Sequence, residues 1–382
     1  MKKTNMDNKK ILKELNQLLS KSSVYYKQLV VKNNLKFDFN KPVLLFGAAK
    51  LSHVFIRFFK KNGTKILALS DNNKNIIGKQ IDGIKIVNKN KIINLFGNDI
   101  QIVTTSIYYL EILKDLKKLG FKKIFTPMYF STLYSNDFDV LVWKNDTKLI
   151  IKNKKLINLV YSYLSDNKSR QIFLAIIIFR LLLIENSLKN LRDSGSEYFD
   201  RKIIYLSKNE VFLDGGAYDG DTIKMIIKES KNKFNNIYAF EPDNKTYKKL
   251  SNYVNKLADP RIKIYKFGLG NKKSTLNFTN EGNLQSKVIK YGETLINIIT
   301  IDNFIKNKIT YIKLDIEGFE KKAILGSKRT IKKYKPKLVI CAYHNLYDLW
   351  ELPILIKNIR PDYKIYLRHY SDFLMDTICY AI

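Results

Sequence analysis

Residues 211–222 read VFLDGGAYDGDT, and this stretch decides the fold. An apolar run ends in the acid Asp214, and small residues then lead into a run with helical spacing. This order predicts a β-strand, a tight turn and a helix. Glycines in such a turn let a ligand lie against backbone amides that a Cβ would screen. Taken alone, the turn is weak evidence, and an ordinary tight connection between a strand and a helix is the alternative.

A second acid follows at the end of the next apolar strand, residues 237–240. This acid, Glu241, comes 25 residues after Gly216. The separation is near the ~20 residues expected for a carboxylate that binds the ribose hydroxyls of an adenosine ligand. The turn and the acid together favour an adenosine cofactor.

The acids around the turn indicate which of two adenosine cofactors, NAD or S-adenosylmethionine, fits the site better. Asp214, Asp219 and Asp221 surround the place where a dinucleotide would put its pyrophosphate, and they would repel it. S-adenosylmethionine instead presents a sulfonium and an ammonium, which acids bind favourably. The sequence therefore favours S-adenosylmethionine over NAD.

A third stretch, residues 311–320, reads YIKLDIEGFE. It predicts a strand with Asp315 at its carboxyl end and Gly318 at the start of the next helix. Ligands bind at the carboxyl ends of neighbouring strands in open α/β sheets, so we expect Asp315 in the same crevice as Asp214 and Glu241. Lys313 is unusual inside a covered strand, and either an ion pair or a snorkelling side chain would explain it.

These residues resemble the FkbM family of S-adenosylmethionine-dependent methyltransferases. The resemblance extends from Glu210 to the end of the chain, and it rests on residues 214–222, 240–242, 315–320, 342–344, 349–353 and 363–380. It implies a seven-stranded class I methyltransferase sheet and methyl transfer to a hydroxyl oxygen, commonly on a sugar. The cofactor-binding residues that it implies are Asp214, Gly215, Gly216, Ala217, Tyr218, Asp221, Thr222, Glu241, Pro242 and Asp315. Many members carry Asn where this chain has Tyr218, which leaves the acceptor open.

The candidate catalytic residues are Asp315 and His344, at the ends of neighbouring predicted strands. An alcohol is a poor nucleophile at neutral pH, and a base within hydrogen-bond reach contributes roughly 10² to 10⁴ in rate. The alternatives are that Asp315 orients the cofactor and that His344 is a hydrogen-bonded histidine at a strand end. No metal is assigned, although Asp315 and Glu317 leave a cation open.

An earlier strand, residues 43–46, is followed by a turn, residues 47–52, that reads GAAKLS. This is a degraded G-x-G-x-x-G turn, with Ala49 and Ser52 in place of glycines, so NAD binding is not expected. Together with residues 70–72 and 81–87, the turn resembles the Rossmann-like N-terminal domain of sugar acyltransferases. That resemblance implies a nucleotide-sugar site, and a structural or dimerising domain is the alternative.

The 382 residues leave room for two domains and a connector. We predict two doubly wound α/β domains of Rossmann-like topology, residues 1–126 and 208–382, joined by a helical connector at 127–207. The hydrophobic share of 45% argues against disorder. The two cysteines are too few for a disulfide framework and fit a cytoplasmic protein.

The start of the chain lacks the apolar core of a signal peptide. The most apolar stretch, residues 172–184, has 13 residues and contains Arg180, whereas a membrane span needs about 20. It predicts a buried helix, with a helix lying in the membrane plane as the alternative. No transmembrane segment is therefore expected.

The net charge of +33 is typical of proteins that bind nucleic acid or anionic membranes. Only nine of the 68 basic residues are arginine, the residue preferred for bidentate phosphate and base recognition. None of the seven prolines precedes Pro or Cys, so the Pro-Pro-aromatic and Pro-Cys blocks of DNA methyltransferases are both missing.

The leading hypothesis is a saccharide or nucleotide-sugar O-methyltransferase without specific nucleic-acid binding. A nucleic-acid methyltransferase and a noncatalytic nucleotide-sugar-binding protein are the alternatives. A homodimer through the N-terminal domain or the connector is a further expectation.

Overall fold

The computed structural model describes residues 7–106, 109–138, 144–184, 187–278 and 294–382. The chain forms two compact units. The C-terminal unit comprises Met1–Leu19, Asn153–Phe179 and Ile184–Ile382, and the N-terminal unit comprises Ser20–Lys152 and Arg180–Leu183. Both are α/β units built on a mainly parallel sheet, as the sequence predicted.

The N-terminal unit contains a six-stranded sheet in the order β3-β4-β2-β1-β5-β6, parallel except for the pair β3-β4. Its strands are β1 (Val43–Phe46), β2 (Ile66–Asp71), β3 (Gln80–Ile81), β4 (Ile84–Asn88), β5 (Gln101–Thr104) and β6 (Ile124–Phe125). Its helices are α2 (Ser23–Asn33), α3 (Lys50–Lys61), α4 (Ile92–Phe96), α5 (Tyr109–Lys118), α6 (Pro127–Leu133) and α7 (Thr147–Lys152).

Aromatic side chains fill one side of this unit. The ring of Phe37 lies 5.3 Å from that of Phe59 in α3 and 5.1 Å from that of Phe130 in α6. Rings at this separation bury a large apolar area, and the pair of Phe37 and Phe130 adds a favourable edge-to-face contact. Helix α6 is thereby part of the N-terminal core.

The seven-stranded sheet of the C-terminal unit has the order β15-β16-β14-β13-β7-β8-β9. Five strands are parallel, and β15 and β16 pair antiparallel at one edge. The strands are β7 (Val211–Gly215), β8 (Asn236–Phe240), β9 (Ile262–Tyr265), β13 (Tyr311–Leu314), β14 (Lys337–Cys341), β15 (Ile365–His369) and β16 (Thr377–Ala381). The predicted seven-stranded sheet is confirmed.

The helices of the C-terminal unit come from three parts of the chain. They are α1 (Asn8–Leu19), α8 (Lys154–Tyr163), α9 (Asn167–Leu182, whose last residues belong to the other unit), α10 (Asp221–Glu229), α11 (Asn244–Leu257), α12 (Ile301–Phe304), α13 (Glu320–Leu325), α14 (Lys328–Tyr334) and α15 (Asp348–Ile359). The apolar stretch predicted as a buried helix lies in α9, where Ile172, Phe173 and Ile177 are fully buried. Among the described residues, no helix has both the length and the apolar character needed to cross a membrane.

The connector expected at 127–207 does not form a body of its own. Its first part, up to Lys152, belongs to the N-terminal unit, where Phe130 packs into the aromatic core. Most of the remainder belongs to the C-terminal unit, where the guanidinium of Arg368 in β15 pairs with Asp166 at 2.6 Å and with Asp200 at 3.0 Å. The boundaries at 126 and 207 therefore differ from those of the structure.

The sequence analysis missed a three-stranded sheet in the C-terminal unit. It has the order β10-β12-β11 and consists of β10 (Gly268–Leu269), β11 (Ser274–Phe278) and β12 (Thr294–Ile299). One of its strands has only two residues, which is too short for a periodic pattern. Ile296 and Ile298 of β12 pack with Leu276 in a small apolar cluster.

Candidate active site

The turn after β7 approaches the end of β13 very closely. Gly216 has a φ of +77°, and a Cβ built on it would lie 1.8 Å from the carbonyl oxygen of Asp315. Only glycine satisfies both requirements, because a side chain would need the left-handed region and would collide with backbone. The two predicted ligand-binding segments therefore meet at one edge of the sheet.

Glu241 follows β8 and faces this turn. Its Oε2 accepts from the Tyr218 amide at 3.0 Å, and its Oε1 accepts from the Asp243 amide at 2.9 Å. Burial raises the pKa of Glu241 to about 7, although these amides favour the charged form. A carboxylate oxygen can accept two hydrogen bonds, so capacity remains on both oxygens for ribose hydroxyls.

A pocket that is open to solvent lies between these segments and the three-stranded sheet. Of the cofactor residues implied by the resemblance, those that line it are Gly216, Tyr218, Asp221, Thr222, Glu241, Pro242 and Asp315. The structure places Asp214, Gly215 and Ala217 behind that wall, fully buried in the sheet and turn. Apolar side chains such as Ile296 and Ile298 form the opposite side.

Asp214 acts on the pocket through Lys313. The two residues are register partners on adjacent parallel strands, and Lys313 Nζ lies 3.0 Å from Asp214 Oδ1. Lys313 Nζ also donates to the Gly216 carbonyl at 2.7 Å. Burial raises the pKa of Asp214 to about 6, although the positive charge of Lys313 acts to lower it. Lys313 therefore pairs with a carboxylate, and the pair ties the turn to β13.

Tyr198, between α9 and β7, also lines the pocket. Its hydroxyl donates to Asp315 Oδ2 at 2.9 Å, and its ring lies 5.2 Å from Lys313 Nζ. The neighbouring Glu197 has its pKa raised to about 8 by burial and by Asp376 and Asp315. Sequence reasoning missed Tyr198 because its segment was treated as connector and has no periodic pattern.

His344 follows β14 and lies among carboxylates. Its Nδ1 is 2.9 Å from Glu320 Oε1, while its Nε2 is 3.4 Å from Asp315 Oδ1 and 3.7 Å from Glu317 Oε2. Burial disfavours the charged imidazole, but the three acids outweigh it and raise the pKa of His344 to about 10. An imidazole that is protonated at neutral pH cannot accept a proton, so the structure favours Asp315 over His344 as the base.

Asp315 is ionised at the pocket wall. Burial disfavours its charge, but the cations of Lys313 and His344, together with the Tyr198 hydroxyl, lower its pKa. Its side chain is 25% exposed, whereas that of His344 is 2% exposed. Asp315 is therefore the member of this pair that can touch an acceptor.

In the N-terminal unit, Asp71 makes hydrogen bonds like those of Glu241, at the turn after β1. Asp71 Oδ2 accepts from the Ala48 amide at 2.7 Å, and Oδ1 accepts from the Asn73 amide at 2.8 Å. In both units an acid at or just after the end of a strand accepts from an amide of the preceding glycine turn and from the amide two residues further on.

The seven-stranded sheet, the glycine turn and the acid after β8 define the class as an S-adenosylmethionine-binding methyltransferase. Residues 214–369 match the family model described as the methyltransferase FkbM domain. Residues 214–369 are thus similar to the FkbM methyltransferase domain, and the methyl donor is S-adenosylmethionine. Residues 39–125 match a model described as C2185-like, N-terminal, and the expected sugar acyltransferase likeness is not confirmed.

A solved structure shares the fold. The chain is 22% identical to a methyltransferase FkbM from Methylobacillus flagellatus KT, with a TM-score of 0.76 over 98% of this chain and 100% of that one. A putative methyltransferase from Streptococcus mutans in complex with SAH is 12% identical, with a TM-score of 0.30 over 49% of this chain and 95% of that one. That second likeness is too low to support an argument. No curated protein matches the chain.

Proposed function

We propose that the chain transfers a methyl group to a hydroxyl of a saccharide or nucleotide-linked sugar, in surface polysaccharide or glycoconjugate biosynthesis. The observation that carries this proposal is the ionised Asp315 at the wall of the pocket that also contains Glu241. An ionised carboxylate accepts a hydrogen bond from an alcohol and so can orient its oxygen. The two cysteines are free and buried, which fits a reaction in the reducing cytoplasm.

The residues of the pocket fit the methyl donor. Glu241 would hold the ribose hydroxyls, and Gly216 keeps the turn free of a side chain. Asp221 and Asp315 at the wall would face its cationic groups. The bound cofactor supplies an electrophilic methyl carbon.

Positioning of the acceptor falls to Asp315. Tyr198 holds Oδ2, and Oδ1, which lies 3.4 Å from His344 Nε2, would also accept a hydrogen bond from the hydroxyl of the acceptor. Most of the rate gain in an in-line displacement comes from holding the two reacting atoms in line. The aromatic rings of Tyr198, Tyr218 and Phe319 at the pocket suit the apolar faces of a sugar ring.

The N-terminal unit would bind a nucleotide-linked sugar. Its Asp71 is arranged like the acid that faces the ribose in the C-terminal unit. Asp71→Ala in the full chain should raise the acceptor KM while leaving kcat and cofactor affinity unchanged. An unchanged KM would leave this unit a structural role, such as the proposed homodimer contact, which sedimentation measures directly.

Mass spectrometry with isotopically labelled S-adenosylmethionine tests the function. Nucleotide sugars, free saccharides and nucleic acids are offered in parallel, and label on a saccharide oxygen is expected. Asp315→Asn should lower turnover more than cofactor affinity, while Glu351→Gln, an acid on the exposed side of α15 paired with Lys321, should behave as wild type. Label on nucleic acid instead would refute the saccharide proposal.

Nucleic acid should bind weakly and without sequence preference. Its affinity should fall steeply between 50 and 200 mM salt, as roughly expected when lysines release counterions from phosphates. Salt-resistant binding to one sequence would favour the nucleic-acid alternative.

A further inference from the structure

Four side chains able to ligate a metal meet beside the pocket. The donor atoms of Asp315, Glu320 and His344 lie within 4.8 Å of one another. Glu317 Oε2 adds a fourth donor at 3.7 Å from His344 Nε2. Three elements supply them, since Asp315 and Glu317 follow β13, Glu320 begins α13, and His344 follows β14.

The charges of this group are not balanced. Three carboxylates surround one imidazole, and the buried Lys313 is already paired with Asp214. Glu320 is fully buried, and its Oε2 accepts no hydrogen bond within the described part of the chain. A buried carboxylate oxygen without a partner is costly, so this group is short of a cation.

The spacing suits a metal on the Nε2 side of the ring. A cation with bonds of about 2.1 Å holds neighbouring donors about 3.0 to 3.4 Å apart. Nε2 lies 3.4 Å from Asp315 Oδ1 and 3.7 Å from Glu317 Oε2. A side-chain shift of about a few tenths of an ångström would bring both distances into that range. On the other side of the ring, Nδ1 contacts Glu320 at 2.9 Å, the carboxylate contact that orients metal-bound histidines.

We propose that the chain binds a divalent transition-metal cation through His344 Nε2, Asp315 and Glu317, with Glu320 orienting the imidazole. One imidazole and two carboxylates suit Mn²⁺, Fe²⁺ or Zn²⁺. The ion replaces the proton on Nε2, which passes to solvent, and it compensates the charges of Asp315 and Glu317.

The role that we assign to this metal site rests on the proposed function, because the ion would act on the hydroxyl that accepts the methyl group. Asp315 and Glu317 line the pocket, so open positions of the ion face the acceptor. A hydroxyl oxygen bound there loses its proton more readily, because a divalent cation stabilises the alkoxide. A saccharide with two neighbouring hydroxyls could occupy two open positions.

Binding of Mn²⁺ by the full-length protein tests the proposal. The protein is stripped with EDTA and titrated with MnCl2, and free Mn²⁺ is followed by electron paramagnetic resonance. One ion should bind per chain. Glu317→Gln, at a side chain 32% exposed, should weaken binding at least tenfold, and so should His344→Ala.

Glu351→Gln, outside the group, is the control and should bind Mn²⁺ as wild type does. Binding of the demethylated cofactor confirms that each variant is folded. Wild type that binds no Mn²⁺, or Glu317→Gln that binds it unchanged, would overturn the metal site and leave the imidazolium as a structural ion pair. Mn²⁺ binding without methylation of any saccharide would refute only the proposed function.

Discussion

Glu241 is the residue on which cofactor affinity should depend most. Glu241→Ala removes the carboxylate that faces the ribose and also the acceptor of the Tyr218 and Asp243 amides. The affinity for S-adenosylmethionine should fall by about 1 to 3 kcal/mol, the cost of leaving such groups without a charged partner. Calorimetry checks this, with Glu351→Ala as control, and equal affinities would contradict the assignment.

The same carboxyl should make cofactor binding depend on pH. Its pKa is raised to about 7 by burial, so it is largely protonated at pH 6 and ionised at pH 8. The ionised form accepts ribose hydroxyls, and affinity should therefore rise with pH, by up to roughly tenfold per unit below the pKa. Calorimetry from pH 5.5 to 8.5 should show a flatter profile in Glu241→Gln; parallel profiles would assign the dependence to another group.

The buried pair of Asp214 and Lys313 should be sensitive to loss of either partner. Lys313→Met leaves a fully buried carboxylate without its cation, and Asp214→Asn leaves the cation without its closest acid. Each single change should lower the free energy of unfolding by about 3 to 5 kcal/mol, and the double variant should lose less than the sum. Urea denaturation measures this, and additive losses would show that the two residues act independently.

At the scale of the elements, the turn between β7 and α10 should not tolerate a methyl group. Gly216→Ala places a Cβ 1.8 Å from the Asp315 carbonyl oxygen and imposes a φ of +77° on alanine. The turn must move away from β13, so cofactor affinity should fall more than tenfold. Gly195→Ala is the matched control, because its Cβ meets nothing within 4 Å. Calorimetry on both variants decides, and normal binding by Gly216→Ala would mean that the turn is pliable.

The sequence was most informative where one element carries its own pattern. Strands β7, β8 and β13 each read as an apolar run with an acid at or just after its end. The sequence therefore predicted these strands and the edge of the sheet at which their acids meet. The three-stranded sheet was missed because β10 has only two residues, which is too short for a periodic pattern. Tyr198 was missed because its role depends on a contact with Asp315, 117 residues away.

His344 shows the same limit for chemistry. Its position after β14 was predictable, but its ionisation depends on three acids of the stretch 315–320 that the fold places beside it. Glu320 read as an ordinary acid in the first turn of a helix, where such residues are common. No spacing in the sequence indicated that it faces the imidazole.

At the scale of the whole molecule, the chain passes between its two units more than once. Met1–Leu19 belongs with residues that follow Lys152, and Ser20–Lys152 lies between them in sequence. Cutting the chain near Pro127 would therefore divide the N-terminal unit and remove α1 from the other. For this reason single substitutions in the full chain test the N-terminal unit better than a truncation.

The docking of α1 onto α8 has a consequence for biosynthesis. Asn158 donates to Asn16 at 3.0 Å across 142 residues, and the Tyr161 hydroxyl donates to the Asn8 carbonyl at 2.9 Å. Helix α1 leaves the ribosome long before its partner exists, and domains are made at roughly 5 to 20 residues per second. For several seconds its apolar face, with Ile11, Leu15 and Leu19, has nothing native to cover it. A nascent chain stalled before Lys154 should therefore expose this helix to chaperones, and the exposure should end once α8 has been synthesised.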